Sequence, residues 1–535
     1  MTIKSKQKSR GTIAIAMVII AILAINLYWL NSRRFYDEIP SLAGRNRSEL
    51  AKVLRHYSGN HGDSLKLEAA RFLINNMVYH HGMTQYLSGQ AGKKVDFDYS
   101  SFPPGDFKRL IWVMDSLRYR YVRGTPVYDI QIIKADYLIE NIDDAFTAWN
   151  YPWAQHLSFD DFCKDVLPYR SQTEPLTSYR KHFMAMFRWL PDSLTENNEL
   201  IDLVNIVKRH LEKKIVYSEE IPLFYQGYLD PYELEQVKVA ACENLALYFQ
   251  LALRSLGVPA RCDKVLAWRH RSSQHLYNSV ADKDGTEYFF GLHGKFRGVI
   301  DRHLNRTRTW RLTFALSTPP EELAAARGLH SQFINPYYYD ITHLYAPAKM
   351  LEFQLERYLE GEYVYLCVFN FGDWRPVAFT TAGKEGKVIL PSVTPETIYR
   401  LCNFNGNDMV PHTLPFRFDS LGRINMLVPD FGNPQSVVIE KTPDQHWIKL
   451  NRSGTDSWFT LQYLANGNWE PVRSDSYRSF YYGADSVKVW YNDGDILPDR
   501  QVLYEISFNR LPGNALFYWG GFSKPFSIDN NTIVF

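Results

Sequence analysis

Cysteine is scarce in this chain, with five residues among 535, at positions 163, 242, 262, 367 and 402. So few and so dispersed, they exclude a disulfide framework, and no Cys-x-x-Cys or Cys/His spacing suited to a metal is present. Net charge is nearly absent as well. Sixty Lys and Arg face 58 Asp and Glu, a formal +2 that gives no electrostatic ground for a nucleic-acid partner. No glycine-rich phosphate loop occurs, so no cofactor is expected. What the chain does have is length for several packed cores, three or four domains, and an abundance of Tyr and Phe, 35 and 32 copies. Those aromatics suit strand-rich domains and aromatic-lined grooves alike. The odd cysteine count leaves at least one thiol outside intramolecular pairing and keeps a nucleophilic role open.

One long apolar run stands out. Lys4, Lys6, Lys8 and Arg10 precede an uncharged stretch from Gly11 to Leu30. At about 1.5 Å per residue it reaches roughly the 30 Å of a hydrocarbon core as a helix. Arg33 and Arg34 beyond it are offset by Asp37 and Glu38, which favours an N-terminus inside. Residues 1–10 are therefore expected to be a cytoplasmic basic segment and 11–30 a single-pass anchor in the inner membrane. The bulk of the chain is then periplasmic or otherwise extracytoplasmic. Tyr28 and Trp29 sit where interfacial aromatics belong, and no small-x-small site marks a cleavage point, so an uncleaved anchor is preferred to a signal peptide.

The texture then changes along the chain. Over 40–195 the spacing is helical, as in LKLEAARFLINNMV and FKRLIWVMDSLRYRYV. Ser158 and Asp161 form a capping box that places Cys163 in the first turns of a helix, as a packing residue. Residues 196–335 mix helix and strand, and from about 340 short aromatic runs separated by Gly, Asn, Asp and Pro predict strands. Two blocks there echo each other: G-x-W-x-P-V at Gly372 recurs at Gly467, and P-F-x-x-D at Pro415 recurs at Pro525. The repetition predicts two related antiparallel β-sandwiches, 340–440 and 441–535, with Trp374 and Trp469 as core residues beside turns.

The chemistry concentrates between Val237 and Gly294. Leu245, Tyr248, Phe249, Ala252 and Leu256 mark the buried face of a helix that opens at Cys242 and stops at Gly257. A thiol at a helix start meets free N–H groups and the positive end of the dipole, which favour the thiolate. ARCDKVLAW reads as a strand containing a packing residue, Cys262. HLYNSVA, DKDG and TEYFFGL read as a hairpin whose first strand begins with His275. A helix-borne Cys and a strand-borne His are a nucleophile and a base.

Helix-Cys, L-G-V-P-A-R and H-x-aromatic-N together resemble the core of the transglutaminase-like superfamily, over about a fifth of the chain. The flanks LSFDDFCKDVLPYR, EPL and YYDITHLY further resemble the large transglutaminase-like proteins of Bacteroidetes. The resemblance implies a papain-like α+β core within a multidomain chain, with Cys242 as nucleophile and His275 as base. Trp268 and Tyr277 then line the substrate cleft or belong to the core. Tyr277 stands where the family has Trp. If Ala281 pairs with Thr286, His275 lies opposite Leu292 and no acid stands there to orient it. Asp301, from the following segment, or a carbonyl is left to orient the ring, and His270 and His293 are local rivals to His275. Two functions remain open: a cysteine amide hydrolase or acyl-transferase acting on peptide, glycopeptide or cell-wall material, or a degenerate domain serving as a binding or scaffolding module.

Overall fold

A computed structural model describes residues 35–59, 61–103, 106–194, 199–218, 227–269, 272–290, 306–318, 322, 328–441, 462–465, 468–471, 477–482, 503–518, 524–529 and 532–534. The expected anchor and the expected acid Asp301 lie outside these residues. Among the described residues no helix is long and apolar enough to cross a membrane. The chain divides into two units. The first comprises Met1–Cys262, Tyr277–Val299 and Leu312–Ser317, and the second Asp263–Leu276, Ile300–Arg311 and Thr318–Phe535.

In the first unit the helical spacing holds where the apolar stripe is unbroken. The helix Arg47–Ser58 buries Leu50, Val53, Leu54 and Tyr57, an i, i+3, i+4, i+7 set, against Ser64–Asn76 and Ala135–Trp149. Leu200–Leu211 repeats the pattern with Leu200, Leu203, Val204, Val207 and Leu211 in a second core. Ser158 caps the next turn, accepting from the Asp161 amide at 3.1 Å. Cys163 is buried there among apolar neighbours, and desolvation pushes its thiol up to about 12, so it packs and does not react.

The helical reading fails at two segments, which pair with each other. FKRLIWVMDS is a helix, Phe107–Ser116, but its continuation enters a strand, β2 (Arg120–Tyr128), paired antiparallel with β1 (His81–Ser88). Arg118, at φ +57, turns the chain out of the helix. Val122, Thr125 and Val127 favour an extended backbone, and Pro126 bars a helix. Gly124 lies so close to β1 that an added Cβ would sit 2.2 Å from Thr84 Oγ1.

Short strands β3 (Val216–Tyr217) and β4 (Val239–Ala240) pair in parallel just before the helix Cys242–Ser255. A five-stranded sheet has the order β7 (Glu287–Phe290), β6 (His275–Ala281), β5 (Ala260–Trp268), β8 (Arg306–Leu312), β9 (Tyr338–Asp340). The hairpin register differs from the sequence expectation by one residue. Ala281 pairs with Glu287, not Thr286, because Asp282 N–H bonds to Thr286 O at 2.9 Å and Gly285, at φ +82, supplies the left-handed step of a three-residue loop. The described β6–β7 ladder stops at Asn278 opposite Phe290, so the residue across from His275 in that hairpin lies outside the described residues.

The second unit is dominated by antiparallel sheets. β11 (Tyr363–Asn370), β12 (Asp373–Thr381), β14 (Thr397–Phe404), β16 (Phe416–Phe418) and β17 (Ile424–Met426) run in the order β12-β11-β14-β16-β17, with β15 (Met409–Pro411) also pairing β14. β10 (Lys349–Gln354) pairs with β13 (Lys387–Val393), and Leu351, Val388 and Leu390 share one core with Leu366, Tyr399 and Phe416. The echoed motifs occupy equivalent places. Asn370 pairs with Asp373 and Phe369 with Trp374 in one hairpin; Ala465 pairs with Asn468 and Leu464 with Trp469 in the other. Phe416 and Phe526, the aromatics of the two P-F-x-x-D motifs, are both fully buried. Trp374 is buried under the Arg400 guanidinium, as a core residue beside a turn should be.

Histidine packing makes the first unit acid-sensitive. The His80 ring lies flat on Phe314, centroids 4.3 Å apart, and Nε2–H donates to Phe314 O at 3.0 Å. Burial lowers its pKa to about 4. The unfolded chain binds the proton first, so the stabilisation is complete above pH ~6.5 and is lost as pH falls toward 4. The unfolding midpoint of this unit should therefore drop more steeply from pH 6.5 to 4 than in His80→Gln, by roughly 1–3 kcal/mol in stability. Parallel slopes for the two proteins would refute the assignment.

Candidate functional site

The helix Cys242–Ser255 is buried on almost every side, from Asn244 to Ser255, as befits a central helix rather than a surface one. Its C-terminal stop is steric as well as conformational. Gly257 has φ +75, and a Cβ there would lie 2.3 Å from Ala148 O, so the L-G-V-P-A-R turn admits only glycine. Behind it Gln250 donates to Ala260 O at 3.0 Å and accepts from Cys262 Sγ at 3.2 Å. That fixes strand β5 on the helix and places Cys262 in packing, as its sequence position implies.

Cys242 is the first residue of the helix and follows an N-cap, Ala241, that has no side chain able to cap. Its relative exposure is 9%, against 3% or less for the other four thiols. Two neighbours were not legible as site residues. Glu243 Oε2 accepts from Cys242 Sγ at 3.2 Å, placing a carboxylate where the dipole alone would favour the thiolate. Asn244 holds the preceding segment, with Nδ2 on Gly227 O and Oδ1 on Leu229 N–H, both at 2.8 Å. Only their adjacency to Cys242 could have signalled either.

The H-x-aromatic-N motif divides its labour. Asn278 Nδ2 donates to Ala246 O at 2.9 Å and to Arg261 O at 3.3 Å, tying β6 to the Cys242 helix and to β5. Tyr277 is buried with its ring edge against Phe289 at 5.9 Å, a core position. His275, in the second unit, lies beside Trp268, centroids 6.2 Å apart and tilted by 40°. Trp268 is buried in turn, and its carbonyl accepts a hydrogen bond from Lys524, whose amine desolvation lowers to about 7. His270, His293 and Asp301 lie outside the described residues. Among those described, no group of three His, Cys, Asp or Glu side chains is placed to hold a metal.

The flanking motifs that carry the family resemblance are structural. Tyr169 and Arg170 of LSFDDFCKDVLPYR reach the fully buried Asp129. Arg170 is bidentate to it, both contacts 2.6 Å, and Tyr169 Oη donates at 3.1 Å. Glu174 of EPL accepts the Ser171 and Gln172 amides at 2.7 Å. In YYDITHLY, Tyr345 bonds to Asp263, which also receives Arg311 at 2.8 and 2.9 Å.

Comparison with known proteins adds little. No protein-family model matches the sequence, and no curated protein matches it. Among solved structures, a crystal structure of red sea bream transglutaminase aligns over 84% of this chain and 75% of that one, at 11% identity and a TM-score of 0.17. A superposition of that quality carries no argument. What the structure does establish is a chain of mixed helices and antiparallel sheets in several strand groups, divided into two compact units.

Proposed function

We propose that this chain is an exported, membrane-anchored thiol enzyme of the transglutaminase-like kind, acting on amide bonds of peptide, glycopeptide or cell-wall material. Cys242 attacks the amide carbonyl as thiolate, His275 takes the thiol proton and passes it to the leaving amine, and water or a second amine releases the acyl group. Asp301 is the proposed orienting acid for His275. The observation that carries the reading is the place of Cys242, first in its helix and the most exposed of the five thiols. Trp268 beside His275 supplies an aromatic wall to the base. The pairing of Cys242 with His275 rests on the motif spacing in the sequence.

Alkylation tests it. With iodoacetamide at pH 7, Cys242 of the full chain should react at least about tenfold faster than the other four thiols, and His275→Ala should remove most of that advantage. Equal reactivity, or a His275→Ala protein that alkylates as the parent does, would sink the proposal. The Glu243 carboxylate favours a second reading, a degenerate domain that binds and does not cut, because a negative charge at the thiol holds its proton in place. Under that reading Cys242 is slow in the parent and accelerates only in Glu243→Gln.

A further inference from the structure

The second unit contains a cleft of about 510 Å³, within the size range of sites for small ligands. Its lining includes two cations, Lys264 and Arg375, and no acidic side chain among the described residues. Neither cation makes an ion pair among those residues, and the Arg375 side chain is exposed. Three aromatic rings also line it: Phe371, Tyr338, and Trp310, which is 6% exposed and packed against Tyr338 with centroids 5.0 Å apart.

Two details set the cleft apart from ordinary surface. Asn370 is 2% exposed, and its Oδ1 makes no hydrogen bond among the described residues, while Nδ2 reaches the Leu266 and Ser273 carbonyls only at 3.5 Å. A buried, unsatisfied acceptor costs roughly 1–3 kcal/mol unless something else supplies the donor. The next residue, Phe371, has φ +53 and is 58% exposed. Together with Gly372, at φ +81, it turns β11 into β12 through a loop with both φ positive, a place suited to Asn-Gly. A bulky ring held there in the left-handed region packs against little and is unfavourable for folding, so its presence asks for a reason outside folding.

We propose that this cleft binds a carboxylate-bearing oligosaccharide, with Lys264 and Arg375 holding the carboxylate and Tyr338 and Phe371 stacking on sugar faces. The exposed Gln274 carboxamide offers donor and acceptor together, as a sugar hydroxyl requires, while Gln332, whose Nε2 donates to Pro376 O at 2.8 Å, and Asn370 offer carbonyl acceptors. Aromatic faces and planar amides with a cation suit a ring-shaped acidic ligand better than an extended peptide, which would seek backbone partners along a strand edge. The inference stands whether or not Cys242 is a nucleophile.

The test is binding of the full chain to an array printed with oligosaccharides of galacturonic, glucuronic and sialic acids, their neutral counterparts, and acidic peptides. Acidic oligosaccharides should be retained over neutral ones. The signal should fall at least tenfold in Lys264→Gln/Arg375→Gln and in Phe371→Gly, while the thermal midpoint of Phe371→Gly stays at or above that of the parent. Removing the ring also relieves its turn, so loss of binding without loss of stability separates a ligand contact from a structural one. No preference for acidic sugars, retention of acidic peptides in their place, or binding that survives both variants would overturn the assignment.

Discussion

Replacing Cys242 with alanine should abolish acyl transfer, lowering turnover of amide substrates by roughly three orders of magnitude or more. Under the proposed mechanism the loss follows from the bond the thiol makes. Without sulfur there is no acyl-enzyme, and the remaining groups can only position substrate and polarise its carbonyl. The substitution removes little volume from a site that is 9% exposed, so the fold should survive it. The measurement is mass spectrometry of the peptide containing Cys242 after incubation with peptide and glycopeptide amides. An acyl adduct should appear in the parent and be missing from Cys242→Ala, with Cys262→Ala as a control that keeps it. Turnover unchanged in Cys242→Ala would end the thiol mechanism, and an adduct on another cysteine would move it.

Removing Asp129 should have the largest effect on stability, about 3–5 kcal/mol for Asp129→Ala. Asp129 is fully buried and Arg170 is 2% exposed, so the alanine variant strands a guanidinium that has lost both of its 2.6 Å contacts, and Tyr169 loses its acceptor. The cost lies in the uncompensated charge more than in the contact itself. Asp129→Ala combined with Arg170→Met should therefore recover much of the loss. Hydrogen exchange in the helix Ala135–Trp149 under rising urea reads the first unit separately from the second. A loss below about 1 kcal/mol, or no recovery in the double variant, would contradict this account.

Much of the local structure around Cys242 was written in neighbouring residues. The stripe from Leu245 to Leu256 requires a helix, Gly257 ends it, and the strand after Pro259 follows from its alternation. The repeated tryptophan hairpins were legible for the same reason, since turn residues and strand period are properties of adjacent positions. Failures came where a choice between near-equal local states was made by distant contacts. Phe107 to Val122 reads as one helix, yet its end becomes strand because β1 offers a ladder to pair with and Gly124 permits the close approach. The hairpin after His275 slipped by one residue because two loop lengths fit D-K-D-G-T, and the left-handed Gly285 selects the shorter.

The sequence by itself determined that a thiol opens a buried helix, that a histidine begins a strand soon after, and that the C-terminal half is built from strands with an internal echo. These depend on period, turn chemistry and spacing, which act over a few residues. Only the tertiary structure decided that Arg170, Glu174 and Tyr345 of the flanking motifs are buried ties, and that Asn278 binds its strand to the Cys242 helix. It also decided that Glu243 faces the thiol and that Lys264, Trp310, Asn370 and Arg375 share one cleft. Hydrogen bonds and charge pairs between residues as many as 256 positions apart have no period to reveal them; their partners are fixed by packing.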